Sequence, residues 1–408
     1  MTTCMKFGFK GLDEDFAWQP IDKIKVAGKL VGHGQPCFNI AEIGVNHRGD
    51  VDTAKSLLKE AKHIGADIAK TMFFKTSEMQ SRYVPKPEYH KKTVGEEEDI
   101  AETHGKLELT YKEAEELMEL SRKLDIPLFF TPHSGFNALD DLLKLKAPVI
   151  KIGSGDATFI PFLDYAAQKE LPMLVATGLC NLSEVEDVVK TITYYNKNLL
   201  LFHCTANYPL EYENVNMRAM KTMMDAFRIP IGYSSHEPAP GSDVCYIAVG
   251  MGARSIERHF IDERRPTDPD GANSLTVEEF KNMIETIRQV EKVADGGFGE
   301  DFVLSDEFMD VTNIDRKLIE KILGSTIKHC TEPEKEIRVA GRKSIIARHA
   351  IPSGAKLTAG MLTYKRPGPS LQNGVQKGIS PKYINWTIGR TTNRRIGEDE
   401  QLSMTDLA

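Results

Sequence analysis

Two histidines follow short apolar segments of the sequence, His236 in "GYSSHEP" and His259 in "ARSIERHF". If these segments are neighbouring strands, the two imidazole rings can approach one cation and leave positions open for water and substrate. A structural Zn²⁺ site would need four protein ligands, whereas Mn²⁺ or Mg²⁺ can complete its coordination with substrate oxygens. The pair therefore predicts a catalytic divalent-metal site that holds Mn²⁺ or Mg²⁺.

Two lysines lie inside apolar segments, Lys70 in "ADIAKTMFF" and Lys151 in "PVIKIGSG". Buried ammonium groups need anionic partners, and a small phosphorylated carboxylate would supply them. Thr131 and Ser154 add short hydroxyl donors, and the glycines on either side of Ser154 let the backbone approach a phosphate closely. These residues predict a small anionic substrate that carries a phosphate.

The elements that must position these residues are eight apolar segments, which alternate with amphipathic helical patterns. Asp50, Asn137 and Thr276 occupy expected N-cap positions of such helices. Eight strand–helix units predict a (β/α)₈ barrel, in which catalytic groups lie at the carboxyl ends of the strands. A doubly wound open sheet is the alternative, but no GxGxxG follows the first strand. The candidate strands are residues 37–45, 66–74, 126–132, 148–155, 172–178, 199–205, 229–235 and 253–260.

The chain of 408 residues has a net charge of -7, with 41% hydrophobic and 27% charged residues. This charge gives no global attraction to nucleic acid or to an anionic membrane. The six cysteines lack CxxC spacing, which favours reduced thiols in a cytoplasm over a disulfide framework. No segment approaches the roughly 18 apolar residues of a membrane span, and no signal peptide is recognisable. We expect a cytoplasmic protein without nucleic-acid or membrane partners.

Four parts are predicted along the chain. Residues 1–36 form an N-terminal extension and residues 37–295 the barrel. Residues 296–340 are polar and poorly periodic, as expected of a linker with a short helix. Residues 341–408 contain short strands with Gly and Pro in the turns, which predicts a small β-rich module.

Motifs in both the barrel and the module occur in a defined order. They are "FNIAEIGVNHRGD", "GADIAKTMF", "FFTPHS", "IKIGSGD", "ATGL", "HCTANYP", "GYSSHEP", "GARSIERHF" and the C-terminal "KRPG…GISP". In order and spacing they resemble the sialic acid (N-acylneuraminate) synthase family, over about residues 37–402. The resemblance implies a (β/α)₈ TIM barrel followed by an antifreeze-protein-like (SAF) domain. It also implies condensation of phosphoenolpyruvate with an N-acetylmannosamine-type aldose, release of phosphate, and a need for Mn²⁺ or a similar ion.

The resemblance assigns roles to individual residues. It implies that Glu42 is the catalytic base and that His236 and His259 bind the metal ion. The residues that would contact phosphoenolpyruvate are Lys70, Thr131, Lys151, Ser154 and Ser234.

The implied contacts with the sugar are Tyr208, Asp156 and Asp270, with Asp156 standing where the family usually has Glu. Arg366 in "KRPG" would reach the sugar in the active site of a partner subunit. The implied assembly is therefore a domain-swapped homodimer.

Several positions depart from the pattern of the family. Met72 replaces a Gln that would contact the sugar, Ala206 an expected Asn beside Asn207, Ser235 an Asp and Gly271 a His. The loop 368–378 is also longer than usual. Because these departures are expected on the sugar side, the acceptor stays open among acylamino and deoxy sugars, with or without a phosphate.

Three functions are compatible with these residues. The family's reaction would give a 2-keto-3-deoxy sugar acid of the nonulosonate type, with Glu42 acting on the water that adds to the phosphoenolpyruvate unit. A metal-dependent barrel aldolase or isomerase would explain the two histidines but would leave Lys70 and Lys151 without an anion. A catalytically silent sugar-binding protein would explain the departures but need not retain Glu42 together with both histidines.

Overall fold

The computed structural model describes residues 9–13, 15–84, 100–207, 210–367 and 378–408. Its centre is a sheet of parallel strands in the order β5-β4-β3-β10-β9-β8-β7-β6. The first strand of this set, β3, pairs with the last, β10, and the end strands β5 and β6 lie side by side. The sheet is thus a near-closed barrel, which confirms the predicted fold and excludes the open sheet. The strands are β1 Lys23–Val26, β2 Lys29–Gly32, β3 Phe38–Gly44, β4 Ile68–Phe73, β5 Leu128–Pro132, β6 Ile150–Ile152, β7 Met173–Ala176, β8 Leu199–His203, β9 Ile231–Ser235, β10 Ser255–Ile261, β11 Leu275–Thr276, β12 Ser344–Ala347 and β13 Leu362–Lys365.

Amphipathic helices follow the barrel strands and bury their apolar faces against the sheet. Asp50 and Thr276 cap helices as predicted, by accepting hydrogen bonds from backbone N–H groups of the first turn. Asn137 does not, because its helix already begins at Phe136, after Gly135 with φ +81°. The helices up to the end of the barrel are α1 Lys10–Asp13, α2 Val51–His63, α3 Thr76–Met79, α4 Ile100–Gly105, α5 Tyr111–Leu124, α6 Phe136–Lys144, α7 Ile160–Ala167, α8 Leu182–Thr193, α9 Met217–Phe227, α10 Asp243–Gly250 and α11 Val277–Ala294.

The antiparallel hairpin β1–β2 closes one end of the barrel. Its buried residues Ile24, Val26 and Val31 belong to the same apolar cluster as Phe38 and Phe129. Phe38 begins β3 and Phe129 lies near the start of β5, so the hairpin covers the amino ends of the strands. The carboxyl ends on the opposite side remain for function.

Residues 296–340 differ from the predicted linker with one short helix. They form four helices, α12 Glu300–Val303, α13 Asp306–Thr312, α14 Arg316–Leu323 and α15 Glu334–Gly341. Phe308, Ile319 and Ile322 are buried in the main hydrophobic core. Helices this short show only two to four apolar positions each, so each gives a short periodic signal in the sequence. The division of the chain into four parts stays a prediction.

The C-terminal module is built on the antiparallel pair β12–β13, with the short helix α16 Ile384–Thr387. Isolated bridges such as Ile351 to Ile396 hold its other extended segments together. This agrees with the predicted small β-rich module. In the described part of the chain, no helix combines the length and apolar character needed to cross a membrane.

Candidate functional site

One pocket of about 240 Å³ lies at the carboxyl ends of the barrel strands. It collects residues that are far apart in the sequence, as the fold predicts. Asp156 lies behind this lining, and Tyr208 lies outside the described residues. The predicted site residues that line the pocket are Glu42, Lys70, Thr131, Lys151, Ser154, Ser234, His236, His259, Asp270 and Arg366.

Strand register explains why the central residues meet. Glu42 of β3 lies opposite Lys70 of β4 on one side and His259 of β10 on the other. Ser234 of β9 lies opposite Glu257 of β10. Because successive side chains of a strand alternate between its faces, Glu257 and His259 both face the barrel interior.

Glu257 lies between the two buried lysines. Its carboxylate is 3.1 Å from Nζ of Lys70 and 3.2 Å from Nζ of Lys151, and it accepts a hydrogen bond of 3.2 Å from Ser234. Lys70 also forms a close ion pair with Glu42. The expectation that both lysines need an external anion is therefore wrong, because two carboxylates of the protein already neutralise them. The lysines then no longer argue against an aldolase or isomerase.

The same cluster perturbs the pKa values of its members. Burial, the largest influence, lowers the pKa of Lys70 to about 8, although the charge of Glu257 opposes this shift. Burial acts to raise the pKa of Glu257, but the ammonium groups of Lys151 and Lys70 outweigh it and set the pKa at about 2. Glu257 is thus ionised at neutral pH. Its place near the carboxyl end of the eighth predicted strand makes Glu257 an active-site candidate in the sequence, but the sequence shows no partner for it and assigns it no specific role.

His236 and His259 approach each other with their ring centroids 5.8 Å apart. Nδ1 of His236 donates a hydrogen bond of 3.1 Å to the carbonyl oxygen of Thr205, which leaves the lone pair on Nε2. Nδ1 of His259 is buried without a hydrogen-bond partner among the described residues and lies 3.8 Å from a carboxylate oxygen of Asp270. This orphaned nitrogen is the observation that supports a ligand at the pair.

The protonation of these groups also suits a metal ion. Burial lowers the pKa of His236 to about 4 and that of His259 well below its usual value, so both rings are neutral and can act as ligands. Burial also raises the pKa of Asp270 to about 6. No group of three or more candidate ligands occurs within the described ranges. The residues therefore fit an open site that substrate completes and do not fit a closed structural site.

Short hydroxyl donors lie on the opposite strands of the pocket. Ser154 begins a 3-10 turn after β6, and its Oγ accepts a hydrogen bond of 3.1 Å from the N–H of Gly178. Oγ1 of Thr131 is buried and has no hydrogen-bond partner among the residues that the structure describes. A ligand oxygen would satisfy this hydroxyl group.

Arg366 enters the pocket from the C-terminal module of the same chain. Its N–H donates to the carbonyl of Met79 and its own carbonyl accepts from the N–H of Ser81, both at 2.9 Å. Within the single chain that the structure describes, this strand-like pairing docks the module onto the segment after β4, and Arg366 lines the pocket of its own chain. The entry of Arg366 into a partner's site stays a prediction.

Helix α15 covers the pocket and was missed, since its residues were assigned to a linker. Ile337, Ala340 and Gly341 line the pocket. The buried carboxylate of Glu334 accepts hydrogen bonds from the N–H groups of Leu179 and Ala206, at 2.9 and 2.8 Å. In the sequence this helix shows only the short pattern "EKEIRVAG", and the burial of Glu334 is visible only in the structure.

The departures from the family pattern divide into two groups. Met72 and Ala206 line the pocket. Ser235 instead accepts a hydrogen bond from Arg258, and Gly271 lies against the side chain of Asp268. Most of the long loop, residues 368–377, lies outside the described residues.

Comparisons with known proteins agree with this architecture. Residues 57–298 match the NeuB family model, and residues 342–408 match the SAF domain. The chain is 36% identical to N,N'-diacetyllegionaminic acid synthase of Legionella pneumophila, over 88% of the chain and 91% of that protein. It is 31% identical to N-acetylneuraminate-9-phosphate synthase of Mus musculus, over 93% of the chain and 95% of that protein.

A solved structure matches this chain over nearly its full length. The spore coat polysaccharide biosynthesis protein SpsE of Bacillus subtilis matches with a TM-score of 0.77 at 27% identity, covering 95% of this chain and 99% of that one. The matching model spans more than half of the chain, and relatives above 30% identity span most of it. The chain therefore belongs to the NeuB family and carries a SAF domain at its C-terminal end.

Proposed function

We propose that this protein is a nonulosonate synthase, which condenses phosphoenolpyruvate with an N-acetylmannosamine-like aldose to a 2-keto-3-deoxy sugar acid and phosphate. Family membership and the synthase names of its relatives support the reaction class. The observation that carries the proposal is the convergence of Glu42, two lysines and two histidines on one pocket.

The charges of the pocket support a divalent cation. The described lining contains the cations Lys70, Lys151 and Arg366 and the carboxylates Glu42, Glu257 and Asp270, which balance one another. Phosphoenolpyruvate adds a carboxylate and a phosphate to this neutral set, and a buried net negative charge is costly. His236 and His259 would hold the compensating ion, with Mn²⁺ first and Mg²⁺ or Co²⁺ as alternatives.

Each of the site residues would then have a separate role in the reaction. Lys70, Lys151 and the hydroxyl groups of Thr131, Ser154 and Ser234 would bind the phosphoenolpyruvate anion. C3 of phosphoenolpyruvate attacks the aldehyde, water adds at C2, and phosphate leaves. Glu42 would accept the proton of that water. A bound divalent ion would polarise the aldehyde oxygen.

The acceptor is proposed only as a class, an acylamino or deoxy aldose. Met72 and Ala206 line the pocket where sugar contacts are expected in the family. A homodimer remains a prediction of the family resemblance. Because Arg366 already lies in the pocket of its own chain, the proposed chemistry does not require exchange of the module.

The test incubates purified protein with phosphoenolpyruvate, Mn²⁺ and a panel of N-acylhexosamines, free and phosphorylated. We expect acceptor-dependent release of phosphate and a product whose mass is that of the acceptor plus pyruvate. Glu42→Gln is the inactive control. Product formed from pyruvate instead of phosphoenolpyruvate would indicate an aldolase, and phosphate release without any acceptor would contradict the synthase.

A further inference from the structure

His133 follows β5 and lines the pocket, whereas its contact partner Asp156 does not belong to the described lining. Nδ1 of His133 is 3.1 Å from Oδ2 of Asp156, and the two side chains are 12% and 3% exposed. The Asp156 carboxylate is thus engaged by the ring of a residue that lines the pocket.

A lysine of the C-terminal module completes this unit. Nζ of Lys343 donates hydrogen bonds to the carbonyl oxygens of Met79 and His133, at 2.8 and 2.9 Å. The same ammonium group lies 3.9 Å from Oδ1 of Asp156. The backbone of His133 and the carboxylate that orients its ring are therefore both held by one buried cation.

The protonation state of the ring follows from these contacts. Burial acts to raise the pKa of Asp156, but Lys343 and His133 outweigh it and the pKa is lowered, so the carboxylate can only accept. It therefore accepts from Nδ1–H. Burial lowers the pKa of His133 to about 4, and the ring is neutral. Nε2 then carries a lone pair and can only accept a hydrogen bond.

An acceptor nitrogen selects its ligand by chemistry. The carboxylate and phosphate oxygens of ionised phosphoenolpyruvate are acceptors too, so they gain nothing from Nε2. An aldose presents hydroxyl donors. We propose that Nε2 of His133 accepts a hydrogen bond from a hydroxyl group of the acceptor sugar, in place of a direct contact from Asp156, with Asp156 and Lys343 as positioning residues. This inference rests on the proposed function.

Direct binding tests the inference without turnover. Calorimetry measures the affinity of the full-length protein for N-acetylmannosamine and for its monodeoxy analogues. His133→Phe should weaken N-acetylmannosamine binding by about tenfold, the loss of one hydrogen bond, and leave phosphoenolpyruvate binding unchanged. One deoxy analogue should bind wild type and variant equally, because it lacks the hydroxyl group in question.

Two further variants separate positioning from folding. Asp156→Ala should reproduce the loss, whereas Asp156→Asn should retain most of the affinity, because its amide oxygen can still accept from Nδ1–H. His329→Phe alters an exposed histidine outside the pocket and is the matched control. If His133→Phe does not fold, the Asp156 pair gives the same comparison.

The outcomes distinguish the two proposals. Acceptor binding with the expected pattern but without phosphate release would support His133 and contradict the synthase. Acceptor-dependent phosphate release, together with an unchanged N-acetylmannosamine affinity in His133→Phe, would support the synthase and contradict the role of His133. Equal losses for every analogue, or no binding of N-acetylmannosamine by the wild-type protein, would overturn the inference.

Discussion

At the scale of single residues, the centre of the pocket is a balanced ionic cluster. Glu257 bridges Lys70 and Lys151, and Glu42 contacts Lys70. An incoming anion must therefore compete with carboxylates that are already in place. Because of this competition, the affinity for an anionic substrate should depend on whether Lys70 is charged.

The first prediction concerns pH. Burial depresses the pKa of Lys70 to about 8 in the folded chain, whereas an unfolded lysine keeps its proton to about pH 10.4. Above pH 8 the folded protein loses this cation, so kcat/KM for phosphoenolpyruvate should fall in the free enzyme. In the same window the unfolded chain binds more protons, so this group makes stability rise with pH. Above pH 8, kcat/KM should thus fall while the contribution of this group to the free energy of unfolding rises.

A variant tests whether Lys70 causes the decline in kcat/KM above pH 8. Lys70→Arg keeps its charge through this range, so its lower activity should show no decline near pH 8. Burial also lowers the pKa of Lys343 to about 8. If kcat/KM still declines near pH 8 in Lys70→Arg, the decline would be assigned to Lys343 and the prediction would be refuted.

The second prediction concerns the histidine pair. His236→Ala or His259→Ala should weaken Mn²⁺ binding by at least roughly 10- to 100-fold, because a mutation of a residue that only orients a metal ligand already has an effect of this size. Either variant should also abolish metal-dependent turnover. Titration of the free Mn²⁺ signal by electron paramagnetic resonance measures the affinity. His329→Ala is the control. Full activity after exhaustive chelation would show that the pair is not a metal site.

At the scale of elements, helix α15 joins the two domains and also forms part of the pocket wall. Arg342, just beyond its end, donates to the carbonyl of Leu179 and forms an ion pair with Glu184. Glu334, at its start, accepts from the N–H of Leu179. The loop after β7 is thus held by both ends of one short helix.

The third prediction tests that anchor. Glu334→Ala removes a charged acceptor from the N–H groups of Leu179 and Ala206, a loss of about 1.5–3 kcal/mol for each hydrogen bond. Amide exchange at these two positions should accelerate by roughly 10- to 100-fold. Glu332→Ala changes a carboxylate that is 82% exposed in the same turn region and should leave both amides unchanged. Equal protection in both variants would remove Glu334 from this role.

At the scale of the whole molecule, the C-terminal module closes its own barrel. Arg366 pairs with the segment Met79–Ser81, and Lys343 reaches Met79 and His133. These contacts supply an arginine to the pocket and place the positioning lysine at the backbone of His133. Each chain therefore contains a complete set of the described site residues.

The fourth prediction follows from this arrangement. Glu42→Ala and Arg366→Ala variants, each inactive alone, should give no activity when mixed under conditions of subunit exchange if the two residues act in the pocket of one chain, as they are placed here. Size-exclusion chromatography with differently tagged chains verifies the exchange. Recovered activity would show that the module works in trans, as the family resemblance implied.

The sequence by itself determined the barrel and many of the polar and charged residues that line the pocket. Buried parallel strands are continuous apolar runs, so all eight were recognisable, and a barrel brings their carboxyl ends together. Glu42, Lys70, Lys151, His236 and His259 could therefore be placed from position alone.

Only the tertiary structure decided which groups partner them. The pairing of Glu257 with two lysines and the contact of His133 with Asp156 depend on side-chain directions that periodicity does not encode. Glu334 and Leu179 are 155 residues apart, and short helices such as α15 leave little periodic signal. Docking of Arg366 in cis likewise arises from backbone pairing between distant segments, which no local pattern specifies.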